Sequence, residues 1–450
     1  MEALVLKRIF RGLVVLLLIV AIGAGLWLYF IPPDLLRVGS GYAAKIVCSN
    51  VFIANRDPDE VLAEDVQAPG HPLLHLMRIT VDREEKRVDA ALLGSIAPSE
   101  AIYREGTGCT VVPVGTVVAG SDATKAEALA EADGVWPAGD KIESDESLAA
   151  LLSDVALTGP GMRAVVIVKD GKISAETYGD GFSKDIPLLG WSMTKTVNTA
   201  IIGRLMMENR ISADEKNLFP QWRSDGRADI RIADLLAMES GLGFNENYGA
   251  VADVTRMLFL EPDMAGFVEA VPLEADIGSR FNYSSGTAVL LSRIWMDRIG
   301  NASDALGYPW RSLFNPLGMT SAVMETDAAG TFVGSSYMYA TARDWARFGL
   351  FLAHDGVWNG ERLLPQGFVE AMHAPNRSSG GRYSKMQTWL PKPEAGLPSD
   401  AFVISGHDGQ TIFVIPSLDL VIVRLGLTPR SQGYDAAMLV SEVVKRVRAD

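Results

Sequence analysis

Trp191-Ser192-Met193-Thr194-Lys195 is the stretch on which the reading of this chain turns. Serine and lysine three residues apart in the first turn of a helix share one face, so the amine can reach the hydroxyl. A serine beside a lysine is a nucleophile beside its potential base. Val197, Ala200, Ile201, Leu205 and Met206 follow at helical spacing and predict an apolar helix opening at this pair. No other serine in the chain has a lysine three positions on. The competing reading is an ordinary N-cap serine beside a solvated lysine. Segments further along decide between the two.

Phe281-Asn282-Tyr283-Ser284-Ser285-Gly286 precedes an apolar helical pattern over residues 288–296. A Tyr283 hydroxyl aimed at Ser192 would share proton transfer with Lys195, because phenolate and amine both accept a proton. Most tyrosines instead pack their rings in a core with the hydroxyl bonded. Ser405-Gly406-His407-Asp408-Gly409-Gln410 lies between two predicted strands, and His407 is one of only five histidines. Its glycines let the backbone approach a bound substrate. A backbone amide here, joined by that of Ser192, would supply the paired donors that hold an oxyanion. The loop Phe244-Asn245-Glu246-Asn247-Tyr248-Gly249, after Met238-Glu239-Ser240-Gly241-Leu242, has the polar and aromatic character of a pocket wall.

Taken together and in this order, Ser192-x-x-Lys195, Tyr283-Ser284-Ser285 and His407-Asp408-Gly409 resemble the three signatures of the serine β-lactamase and penicillin-binding-protein superfamily. Within it the chain is similar to the class C branch. The stretches at residues 235–242 and 334–344 resemble the esterase and aminohexanoate-dimer (nylon-oligomer) hydrolase members most. The resemblance covers about residues 150–440 and implies an α+β fold of β-lactamase type: an antiparallel sheet flanked by helices, with a mainly helical subdomain. It implies Ser192 as the acylated nucleophile and Lys195 with Tyr283 as the proton-transfer pair, either of them the resting base. It further implies the backbone amides of Ser192 and Gln410 as oxyanion donors, and Tyr248 as a second tyrosine brought to the scissile bond by a flexible loop. Ser285, His407, Asp408 and Gly409 would line the substrate. No metal or organic cofactor is called for.

Two departures bear on substrate. Class C enzymes carry asparagine where this chain has Ser285, and begin the third motif with lysine where it has His407. An imidazole is ordinarily uncharged near pH 7. The fixed cation expected beside a lactam carboxylate is therefore replaced, and small esters or linear amides rank above β-lactams and cell-wall peptides as substrates. A silent binding protein of the same fold is the reading from another class; intact Ser192, Lys195 and Tyr283 speak against it.

The chain has 450 residues and a net charge of −14, which argues against nucleic acid as a partner. Residues 13–31 form an uncharged apolar run close to the ~20 residues a spanning helix needs. Lys7, Arg8 and Arg11 precede it in a basic tail over residues 1–12, and Pro32-Pro33 end it. This pattern predicts a single-pass anchor in the bilayer of a bacterial inner membrane, with the remainder on the periplasmic side. A cleaved signal peptide is the competing reading. An accessory region over residues 35–140, with a helix at 123–132, then precedes a hydrolase domain over residues 144–450. The two cysteines, Cys48 and Cys109, both fall in the accessory region and form either one disulfide or two separate thiols. Strands are expected near 164–168, 173–178, 402–405, 412–415 and 420–425, and a last helix at 432–448. Strands at both ends of a domain with helices between them predict one antiparallel sheet covered by helices.

Overall fold

A computed structural model describes residues 2–68, 70–113, 115–120 and 134–449; the helix expected at 123–132 lies outside them. The expected sheet is present. Five antiparallel strands stand in the order Phe402–Ser405, Thr411–Ile415, Leu420–Gly426, Met162–Lys169, Lys172–Tyr178. The chain's last strands thus pair with its early hairpin, Val423 lying opposite both Val166 and Ile412. Successive side chains of a strand point to opposite faces. Here both faces are covered, so both sets are apolar. Val166, Val168, Val421, Val423 and Ile412 join the large central core, whereas Val165, Ile167, Ile422, Phe413 and Ile415 pack with Leu439, Val440 and Val443 of the last helix. That helix, Ala437–Ala449, begins later than residue 432 because Arg430–Gln432 forms a separate short turn.

In chain order the helical lobe falls between the two sets of strands, with Thr194–Met207, Ser285–Ile299 and Ala342–Ala353 as its longest elements. Gly349 lets the last of these approach the sheet, since a Cβ there would stand 2.5 Å from Val421.

The accessory region is a helix, Asp34–Phe52, laid on a four-stranded antiparallel meander, Met77–Asp82, Arg87–Leu92, Ile96–Arg104 and Gly108–Val112. Cys48 and Cys109 form a disulfide that ties the helix to the last strand of the meander. The helix is buried along most of its length because it has neighbours on two sides. Ser40 meets the meander at Ala97 and Ser99, and Gly41 lies against Phe259 of the helical lobe. Ala43, Val47 and Cys48 belong to the same continuous core as Val197 and Leu290. Before it, Glu2–Phe30 is one helix, of which Val5–Phe30 is long and apolar enough to cross a membrane, with none of its most apolar window buried.

Candidate active site

The Ser192 turn is built on backbone strain. Gly190 donates to the Met338 carbonyl at 2.9 Å, and Trp191 then adopts φ +49°. A bulky side chain holds that left-handed conformation only where its surroundings over-determine it. The surroundings are aromatic: the Trp191 ring lies 6.2 Å from that of Tyr337 and 5.7 Å from that of His407. A short 3-10 turn, Trp191–Met193, carries Ser192 into the Thr194 helix, and the Thr194 hydroxyl closes the turn on the Trp191 carbonyl at 2.7 Å.

The expected pair meets. Lys195 Nζ lies 3.0 Å from Ser192 Oγ, 3.1 Å from Ser285 Oγ and 2.9 Å from the Ser335 carbonyl oxygen. These three partners match the three hydrogens of an ammonium. Lys195 is 1% exposed, and its amine stands 4.8 Å above the Tyr283 ring. Burial disfavours the charged form and brings its pKa down to about 8, against an opposing pull from Glu246. Tyr283 is pushed above the usual phenol range by burial and by the Glu246 charge, with a hydrogen bond to Ser192 working the other way. Its ring packs against Trp389 at 5.3 Å and Tyr383 at 5.8 Å.

Ser285, expected along the substrate, is fully buried. Its hydroxyl donates to Glu246 Oε1 at 2.5 Å and its amide to Glu246 Oε2 at 2.8 Å. Ser285 therefore links the lysine to a carboxylate. Glu246 sits in a loop whose polarity is plain from the sequence, but nothing there distinguishes it from its neighbours; its part emerges only from the fold. The Ser335 carbonyl was equally hidden. Tyr248, from the same loop, is 40% exposed. Its ring stacks on His407 at 5.7 Å and its hydroxyl stands 3.4 Å from Ser285 Oγ, so the loop reaches across to the third motif.

The third motif is a turn with Asp408 at φ +54° and Gly409 at φ +85°. Gly406 has no room for a side chain, since a Cβ would stand 2.1 Å from the Gly190 carbonyl oxygen. That contact seats the motif against the Ser192 turn. His407 is half exposed, with Nε2 3.3 Å from Asp408 Oδ2. Burial raises the Asp408 pKa, while His407 and Arg163 oppose the rise. The Gly409 carbonyl accepts from Arg424 at 3.1 Å. The Gln410 side chain knits the turn to the sheet, donating to the carbonyls of His407 and Gly426 and accepting from the Gly426 amide. Among the described residues, no three His, Cys, Asp or Glu side chains converge in a way that would hold a metal ion.

Sheet, helical lobe and a serine–lysine–tyrosine cluster at a helix start define the class: a β-lactamase-fold hydrolase. A family model described as Beta-lactamase matches residues 156–440, and the chain belongs to that family. It is 26% identical over 293 residues to the 6-aminohexanoate-dimer hydrolase of Paenarthrobacter ureafaciens, spanning 59% of this chain and 72% of that protein. Among solved structures it is similar to a family VIII carboxylesterase, with TM-score 0.54 and 17% identity over 67% of this chain and 96% of that one. A penicillin-binding protein homolog from Caulobacter crescentus gives TM-score 0.51 and 17% identity over 68% and 99%. At these identities the solved structures establish a shared fold.

Proposed function

We propose that the protein is a membrane-anchored serine hydrolase that cleaves small esters or linear amides through an acyl-enzyme on Ser192. The observation that carries this reading is the 3.0 Å approach of a buried Lys195 amine to Ser192 Oγ, beside the Tyr283 ring. Neutral Lys195, or Tyr283 acting with it, takes the Ser192 proton as the hydroxyl attacks the carbonyl. The oxyanion is received by the backbone amides of Ser192 and Gln410, a pairing supported by the Gly406–Gly190 contact that seats the third motif beside Ser192. Tyr283 returns the proton to the leaving group, and water releases the acid. Tyr248 and His407 close one side of the substrate. The apolar Val5–Phe30 helix supports the anchor and a periplasmic site.

The preference for esters or amides over lactams rests on His407 and Ser285 at positions where class C enzymes carry lysine and asparagine. The test is a fluorophosphonate probe on the full-length protein, beside a nitrophenyl ester and a chromogenic cephalosporin. Labelling that disappears in Ser192→Ala, with ester turnover exceeding cephalosporin turnover, is expected. Equal labelling of Ser192→Ala would overturn the mechanism; faster cephalosporin turnover would move the substrate to the β-lactam class.

A further inference from the structure

One loop touches both the accessory helix and the catalytic lysine. At one end Glu325, fully buried, accepts from the Cys109 amide at 2.6 Å and the Ser49 hydroxyl at 2.8 Å, and pairs with Lys45. Lys45 is 2% exposed. Its amine also reaches Ser49 Oγ at 2.8 Å and stands 4.0 Å above the Tyr337 ring. Glu325 and Tyr337 are joined again through backbone, the Glu325 amide donating to the Tyr337 carbonyl at 2.9 Å. At the other end, the Ser335 carbonyl holds the Lys195 amine and the Tyr337 ring supports Trp191, the strained residue before the nucleophile. Tyr42, Ile46 and Asn50, on the same helix as Lys45, share a small cavity with Trp191 and Gln410. The accessory helix therefore backs the catalytic turn from behind.

Buried charges are tolerated when they are paired and their remaining hydrogen-bonding capacity is filled. Lys45 and Glu325 meet that condition only together, and only with the accessory helix in place. Taking the serine-hydrolase reading above as given, we propose that Lys45 and Glu325 are positioning residues for acylation: across the boundary between accessory region and hydrolase domain, they clamp the loop that orients Lys195 and Trp191. Neither touches the substrate. The accessory region is then a part of the catalytic apparatus.

The test reads inactivation of the full-length protein in detergent micelles by a fluorophosphonate, separated into kinact and KI, over about pH 6 to 10. Lys45→Met/Glu325→Gln removes both charges and keeps their bulk. It is expected to fold, by near-ultraviolet circular dichroism, and to keep KI within about twofold, while kinact falls about tenfold or more as the reacting groups lose register. Its acid limb should move, although Glu246 and Tyr283, the titratable groups facing Lys195, are untouched. Lys45→Arg, which keeps the pair, should recover most of kinact. A folded double variant with wild-type kinact and an unmoved limb overturns the proposal. Should that variant fail to fold, Tyr337→Leu decides: it removes the ring between Lys45 and Trp191, and wild-type kinact in it also overturns the proposal. A wild-type chain left unlabelled at Ser192 overturns the functional reading, and this inference with it, so the two failures are told apart.

Discussion

Among the described residues two lysines are buried, and their settings differ in one respect. Lys45, in the accessory helix, is paired directly with the Glu325 carboxylate. Lys195, in the Thr194–Met207 helix, meets two hydroxyls and a carbonyl, while the Glu246 carboxylate is held one hydroxyl away on Ser285. Burial lowers the pKa of both. At Lys45 the adjacent carboxylate opposes that shift through charge and hydrogen bond together. At Lys195 the opposition is a more distant charge alone, and the amine settles near 8, where it can lose and regain a proton close to neutrality. On the proposed mechanism, one hydroxyl of separation divides a lysine paired for structure from a lysine that serves as base.

The largest expected effect breaks the catalytic side of this pair. Lys195→Met should lower nitrophenyl-ester turnover about 10³-fold or more, because it removes the proton acceptor and disrupts a group that acts as a unit. Its thermal midpoint should stay at or above wild type, since a buried cation without a directly paired carboxylate has gone. Calorimetry on the inactive variant checks this; a large drop in midpoint would show that Lys195 is structural.

Lys45→Met should do the reverse to stability. It leaves the Glu325 carboxyl group fully buried and without its cation, a loss on the order of 3–5 kcal/mol. Chemical denaturation of the two methionine variants side by side gives the contrast directly. Equal stabilities would dissolve the distinction between the two lysines.

How much of this was legible beforehand follows from how far each contact reaches along the chain. Ser192 and Lys195 are three residues apart, and helical geometry alone brings them together. The strand at Phe402–Ser405 and the hairpin before it were readable from apolar runs and from the Asp170-Gly171 turn. Tyr283 and the third motif needed the family resemblance, because nothing local says that residues 283 and 407 approach residue 192. Glu246 stood in plain view within a loop already suspected of walling the pocket. Its part depends on the buried Ser285 hydroxyl, and a serine's burial at a helix start is a tertiary fact. Lys45 and Glu325 had no signal. A lysine in an apolar helix reads as a solvated exception, and its partner is 280 residues away. The accessory region was read only as a sequence interval set apart from the hydrolase domain, and the core the two share is equally a product of packing.

The finest test applies one chemical change to both lysines. Glu246→Gln keeps an amide able to bond Ser285 but removes the charge that holds the Lys195 pKa up. Below its pKa Lys195 is an ammonium and accepts no proton, so the rate falls on the acid side through a pKa near 8. Lowering that pKa enlarges the neutral fraction, and the acid limb should move to lower pH by about half a unit to one unit. Turnover at pH 6 to 7 then rises by roughly three- to tenfold while the alkaline plateau does not. Glu325→Gln has no such benefit to give. It removes the charge paired with Lys45, and the expected result is a loss of stability with no gain at acid pH. An acid limb that stays in place in Glu246→Gln would mean that Tyr283, the other group beside Ser192, sets the profile and that Lys195 is not the resting base.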